Sequence, residues 1–247
     1  QTGILIVCAL AMAGCSEAAP TEPAAMTCDN TRLGVERTIT VTADTGSIES
    51  LLNDGEVVLS FDDGPDPRRT PPVLDELDLH CTRATFFLLG DQADRYPDMV
   101  REIARRGHSL GGHSWSHANL MTLTAEAAHG EVSTGMDAVN AALAGTGPEA
   151  VTFRFPFVAT NAELSADIRK MGLLEVGVTV DGADWTKNRP EESVDLILQK
   201  LDLAGRQGVI LLHDPFAKSN ERVSLLLSRL KQDGYKVVAL GSAETGQ

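Results

Sequence analysis

The chain has 247 residues, 43% of them hydrophobic, enough for one large α/β domain with a sizeable core. Thirty-five acidic against 21 basic side chains leave a formal charge of −14, which excludes a nucleic-acid partner gripped through its phosphates. The four cysteines, at 8, 15, 28 and 81, form no CxxC pair, which argues against a structural zinc knuckle.

Residues 1–15 read as an export signal: the apolar run from Gly3 to Met12 is too short to span a bilayer comfortably. It ends in Met12-Ala13-Gly14-Cys15, which resembles the lipobox of bacterial lipoproteins. The expectation is an exported, periplasmic or cell-envelope protein that meets a membrane only through lipid on Cys15. Residues 16–30, rich in Ala, Pro, Glu and Thr, read as a flexible linker, and 31–247 as one domain. With Cys8 removed and Cys15 lipidated, Cys28 and Cys81 remain, and an oxidising compartment would pair them.

Within the domain, 37–42 predicts a short N-terminal strand. From residue 56 strands and helices alternate: strands over 56–61, 84–89, 108–112, 151–157, 174–180, 208–213 and 236–240, with helices over 71–79, 98–106, 124–144, 162–171, 191–204 and 220–233 between them. This alternation predicts an α/β fold, a single parallel layer or barrel. The residues with chemistry fall at strand carboxyl ends, where such folds build their sites.

Val57-Val58-Leu59-Ser60-Phe61 delivers Asp62 and Asp63 into a Gly64-Pro65 turn. Two adjacent carboxylates need a compensating cation, a metal ion or an arginine. His113-Ser114-Trp115-Ser116-His117 spaces two imidazoles at i and i+4; on one helical turn they would face the same way and, with a carboxylate, hold one metal ion. Arg154 ends a strand where its guanidinium could hold Asp62 ionised. Asp184-Trp185 adds an acid and an indole suited to stacking on a sugar, and Val209 to Leu212 is a buried strand delivering His213 and Asp214. An acid such as Asp184 beside His213 would keep the imidazole protonated, as a general acid requires. A rival reading overlaps the histidines: Gly107-His108-Ser109-Leu110-Gly111 matches the nucleophile elbow of serine hydrolases, with Asp184 and His213 in the expected order. The segment before Ser109 is amphipathic and helical where an elbow needs an apolar strand.

Taken in order, Ser-Phe-Asp-Asp-Gly-Pro, His-Ser-x-x-His, Arg-x-Pro-Phe, Asp-x-x-Asp-Trp and Leu-Leu-His resemble the motifs of the polysaccharide deacetylases, carbohydrate esterase family 4, across about residues 56–240. The resemblance implies a distorted (β/α) barrel, usually of seven strands, and a metal-dependent hydrolase that removes N-acetyl groups from N-acetylglucosamine glycans such as chitin oligosaccharides or peptidoglycan. It implies Asp62 as catalytic base, Asp63, His113 and His117 as metal ligands, and Arg154 as the tether of the base. The Phe157 N–H would be the oxyanion donor, where tyrosine is commoner, with Leu211 and Trp185 as site walls. His213 would be the general acid and Asp184 the group that tunes it. Val158 stands where many members have glycine. Zn²⁺ is the expected ion, with Co²⁺ or Ni²⁺ as substitutes, and a monomer is expected. An O-acetyl xylan esterase with the same machinery and a non-catalytic glycan-binding relative are the alternatives.

Overall fold

The computed structural model describes residue 28, residues 31–187 and residues 189–242. The expected export signal, Cys15 and nearly all of the expected linker lie outside the described residues.

In chain order the elements are β1 (Arg37–Val41), β2 (Glu56–Asp62), α1 (Thr70–Leu79), β3 (Thr85–Leu88), α2 (Gly90–Arg95), α3 (Pro97–Arg105), β4 (Ser109–Gly112), α4 (Ala125–Leu143), β5 (Thr152–Phe153), α5 (Ala162–Lys170), β6 (Leu174–Glu175), β7 (Val180–Asp181), α6 (Pro190–Leu203), β8 (Gly208–His213), α7 (Ser219–Gln232) and β9 (Lys236–Ser242). Prolines in the first turns of α1, α3 and α6 begin helices where a missing N–H costs nothing. Thr124 and Asn161 cap α4 and α5 by accepting from the Ala127 and Leu164 N–H groups.

All strand pairings are parallel. Around the site the ladder runs β6-β5-β4-β3-β2-β8-β7. Strand β2 is its axis: β8 lies along one edge, and the other edge is shared, β9 at Glu56–Val57 and β3 from Ser60 to Asp62. A flat sheet would hold β2 and β5 roughly 14 Å apart. Yet the Arg154 guanidinium, just past β5, reaches Ser60 and Asp62 at 2.7 and 2.8 Å, so the sheet is curled into an incomplete barrel.

The structure differs from the sequence expectation at the seam. The segment 174–180 is two short strands, not one. Val176 N–H bonds Phe153 O on one side, Thr179 N–H bonds Val209 O on the other, and the Val176 and Gly177 carbonyls turn in to accept from Arg154. The last strand, expected as a barrel member, leaves β2 after Val237 and continues along β1. Strand β5 stops at Phe153, and α2 is a helix the periodicity did not show. The core divides accordingly: Val57, Leu59 and Phe61 pack under the helices, while Val58, Phe87, Val209 and Val176 pack inside the curl with Ile39, Val41, Val238 and Leu240. A Cys28–Cys81 disulfide, bridging a separation of 53 residues, ties the start of the domain to the end of α1.

Candidate active site

Strand alternation sets the site. On β2 the inward column is Val58, Ser60 and Asp62; on β8 it is Val209, Leu211 and His213, and the ladder pairs them one to one. The apolar pair fills the interior and the ionisable pair reaches the carboxyl-end rim. Asp63 should then point outward. Its φ of 72° twists the backbone back so that both carboxylates enter one cleft. The turn residue Gly64 answers a different need, since a Cβ there would lie 2.7 Å from Asp214 Oδ1. Asp214 is therefore not a rim acid. It is buried beneath the turn, accepts from Thr70 Oγ1, and is pushed up to about 7 by burial.

Asp62 is almost fully buried and its Oδ1 accepts from Arg154 Nη1 at 2.8 Å. Arg154 is itself buried, with Nη1 also donating to Ser60 Oγ, Nε to Val176 O and Nη2 to Gly177 O, and its Cζ 4.2 Å from the Phe87 ring centroid. A buried ion pair needs such saturation to offset desolvation. Ser60, which also donates to Ile210 O, is a member of this set that the sequence reading did not single out. The available signal was a hydroxyl two residues before Asp62 in an otherwise apolar strand.

The two histidines are not on a helical turn. His113 follows β4, and Ser114 (φ 65°) and His117 (φ 61°) bend the chain so that the rings meet at 5.1 Å between centroids. His113 Nδ1 lies 2.8 Å from the Arg154 carbonyl, which only accepts, so the proton sits on Nδ1 and the Nε2 lone pair is free. Burial holds this imidazole below its ordinary pKa and therefore neutral. Asp63 Oδ1 stands 3.6 Å from His113 Nε2 and 3.4 Å from His117 Nε2. This carboxylate oxygen is buried and has no hydrogen-bond partner among the described residues. A partnerless anionic oxygen facing two imidazole nitrogens fits a divalent cation, and the three ligand atoms lie within 4.8 Å of one another.

His213 Nδ1 bonds Asp184 Oδ1 at 2.8 Å, and the same carboxylate accepts the His213 backbone N–H through Oδ2 at 2.8 Å. Burial opposes the charged ring, but the Asp184 hydrogen bond and charge, aided by Asp62 and Asp63, outweigh it and raise the pKa to about 9. Nε2 then carries a proton, 4.0 Å from Asp63 Oδ2.

These groups open on one cleft of about 390 Å³, lined also by Phe157, Val158, Trp185, Leu211 and Phe216. Phe157 and Trp185 are 62% and 60% exposed, and Leu211 is buried. Phe157 sets its ring edge-on to His117, and both it and Val158 are left-handed, at φ 59° and 54°. Phe216, which packs against the His213 ring, had no sequence signal. Ser109 is elsewhere. It opens β4, at the opposite end from the rim, and spends its hydroxyl on the Leu240 carbonyl. The serine-hydrolase reading is corrected: the Asp184–His213 pair faces the other end of the strands.

Comparison with known proteins places the chain in a family. The polysaccharide deacetylase family model matches residues 51–176. The chain belongs to the polysaccharide deacetylase family. That match includes Asp62, Asp63, His113, His117, Arg154 and Phe157. A chitooligosaccharide deacetylase of Bradyrhizobium sp. (strain ANU 289) is 35% identical over 198 residues, 73% of this chain and 87% of that protein. The peptidoglycan-N-acetylmuramic acid deacetylase PdaC of Bacillus subtilis is 30% identical over 193 residues, 78% of this chain; the match spans 39% of PdaC's length. Among solved structures, a pseudoenzyme of carbohydrate esterase family 4 from Bacillus anthracis shares the fold, with a TM-score of 0.69 at 24% identity over 75% of this chain and 64% of that one.

Proposed function

We propose that the protein is a metal-dependent deacetylase of glycans that contain N-acetylglucosamine, releasing acetate. The observation that carries the reading is the partnerless Asp63 Oδ1 between two imidazoles, with a tethered carboxylate and a proton-bearing imidazole on the same cleft. Asp63, His113 and His117 would hold the ion; two imidazoles and a carboxylate suit zinc, with Co²⁺ or Ni²⁺ as substitutes. A divalent cation there supplies Lewis-acid polarisation of the acetamide carbonyl and acidifies water. Asp62, aligned by Arg154, takes the proton of the attacking water. The Phe157 N–H donates to the oxygen that gains charge as the carbonyl carbon becomes tetrahedral. His213 delivers its Nε2 proton to the departing sugar nitrogen, with Asp184 steadying the imidazolium. Leu211 bounds the space for the acetyl methyl, and Trp185 offers a face to the sugar ring.

The relatives' names support an acetylated glycan over other amides. Base, ligand set and acid are all present, which weighs against a non-catalytic relative. We also propose an exported enzyme, lipid-anchored at Cys15; mass spectrometry after expression with the complete signal tests this, and an unmodified N-terminus elsewhere refutes it. The function is tested by acetate release from N-acetylglucosamine oligomers, peptidoglycan and acetylated xylan. Release from the first two, abolished by a chelator, restored by Zn²⁺ or Co²⁺ and kept in Ser109→Ala, is expected. Release from xylan alone would move the reading to an O-acetyl esterase, and release from none would refute it.

A further inference from the structure

The metal-binding groups sit on unequal supports. Asp63 directly follows the central strand and His113 the next strand but one, with its Nδ1–H fixed by the Arg154 carbonyl. His117 stands four residues out on a loop with two left-handed residues, and its own backbone N–H donates to Ser114 Oγ, at 3.0 Å. A non-glycine residue is seldom left-handed unless its surroundings impose it.

The surroundings are two helices that close on the loop. The first N–H groups of α2, which have no partner inside their own helix, go to the loop: Gly90 N–H to Ser114 O at 2.9 Å and Asp91 N–H to Trp115 O at 3.1 Å. On the other side Glu131 of α4 takes three donors of the loop between the histidines. Its Oε2 accepts from Trp115 N–H at 3.1 Å and Ser116 N–H at 2.9 Å, and its Oε1 from Ser116 Oγ at 2.8 Å. One turn further along α4, Gly135 lets the helix press on the loop backbone: a Cβ there would lie 2.6 Å from the Ser114 carbonyl carbon. Glu131 does not line the cleft.

The structure assigns Glu131 the role of positioning residue for the metal site: it fixes the loop that carries His117, and so sets the affinity for the ion. This rests on the metal-dependent reading above. It differs from the support of His113, which acts on the ring; Glu131 acts on the backbone that aims the second imidazole. Outer partners of metal ligands typically govern affinity by ten- to hundredfold.

The test is zinc titration of the metal-stripped protein in competition with a chromophoric chelator. Glu131→Ala should weaken zinc ten- to hundredfold. Glu131→Gln, which keeps an oxygen for the two N–H groups, should recover most of that loss. Thr134→Ala, on the exposed side of the same helix, should bind as the parent does. At saturating zinc, kcat and KM of Glu131→Ala should return to within about twofold of the parent, because all three ligands remain. Should the alanine variant not fold, Glu131→Asp keeps the charge while withdrawing the carboxylate by one methylene, and should show the same weakening. Unchanged zinc affinity in a folded Glu131→Ala or Glu131→Asp would overturn the assignment. A parent protein that binds no zinc would instead overturn the metal reading, and the assignment with it.

Discussion

Replacing Asp184 by Asn isolates what a single charge does for His213. Asn keeps the size of the side chain and an oxygen for the His213 backbone N–H, but cannot stabilise the imidazolium as a carboxylate does. In the parent the pKa is raised from 6.5 to about 9. That difference corresponds to on the order of 3 kcal/mol favouring the protonated ring. Without Asp184, burial pulls the other way against the weaker pull of Asp62 and Asp63, which a bound cation offsets, and the imidazole should lose its proton near its ordinary 6.5. At pH 8 the protonated fraction would fall from about nine-tenths to a few hundredths, so kcat at that pH should drop roughly thirtyfold. A cation at Asp63 takes back part of the rise in the parent, so the comparison is between the two proteins under identical loading. The assay is the kcat–pH profile with zinc saturating: the alkaline limb should move down by a unit or more while zinc content stays the same. Stability gives a second readout with a fixed sign. Because the folded pKa lies above the unfolded one, the pair stabilises fully below about pH 6.5, progressively less between 6.5 and 9, and not at all above. The Tm difference between parent and variant should therefore be largest near pH 6 and shrink by pH 9.5. An alkaline limb that stays in place, or a Tm difference independent of pH, would refute the tuning of His213 by Asp184.

Asp62→Asn should lower kcat at least a thousandfold at every pH while leaving zinc binding through Asp63, His113 and His117 intact, as measured by metal analysis; substantial residual turnover would remove Asp62 as base. Arg154→Met leaves Asp62 buried without its partner and should destabilise by about 3–5 kcal/mol, read by denaturant titration. Val158→Gly removes a β-branched residue from a left-handed backbone, relieving roughly 1–2 kcal/mol against about 0.5–1 kcal/mol of added unfolded-state freedom. A small rise in Tm is expected, and a fall would show that the Val158 side chain is held by contacts that outweigh its backbone. Reducing the Cys28–Cys81 bond, whose ends are 53 residues apart, should cost about 4 kcal/mol in the chain-entropy account; thiol titration of the unreduced, denatured domain should find neither cysteine free.

Much of this site was legible because strand alternation is a simple code. Asp62, Arg154 and His213 end runs of apolar or β-prone residues, so their place at one rim follows from where those runs stop. What the chain pattern could not carry was backbone handedness. Asp63 reaches the cleft through its own left-handed conformation, not through the glycine after it, and His113 and His117 converge through left-handed loop residues instead of helical spacing. Residue type gives only a weak signature of this: aspartate and histidine enter that region more often than other non-glycine residues, yet still seldom. The seam at 176–179 was hidden for another reason: an apolar run reads as one strand, whereas two of its carbonyls are turned to a guanidinium from a distant strand. The departure of β9 to β1 is likewise a matter of pairing partners, which hydrophobic periodicity does not record.

The disulfide has a directional consequence. Helix α1 starts just after the Asp62–Asp63 turn and runs back along the barrel, so Cys81 lies at the end remote from the cleft. The chain therefore joins the domain, at Cys28, on the end remote from the cleft. On a protein lipidated at Cys15, the leash would pull from behind and the mouth would look outward from the bilayer. The thirteen residues from Cys15 to Cys28 reach at most about 45 Å when fully extended. Such an enzyme would work on polymer lying within the length of that leash plus the depth of the domain, and would leave more distant strands untouched.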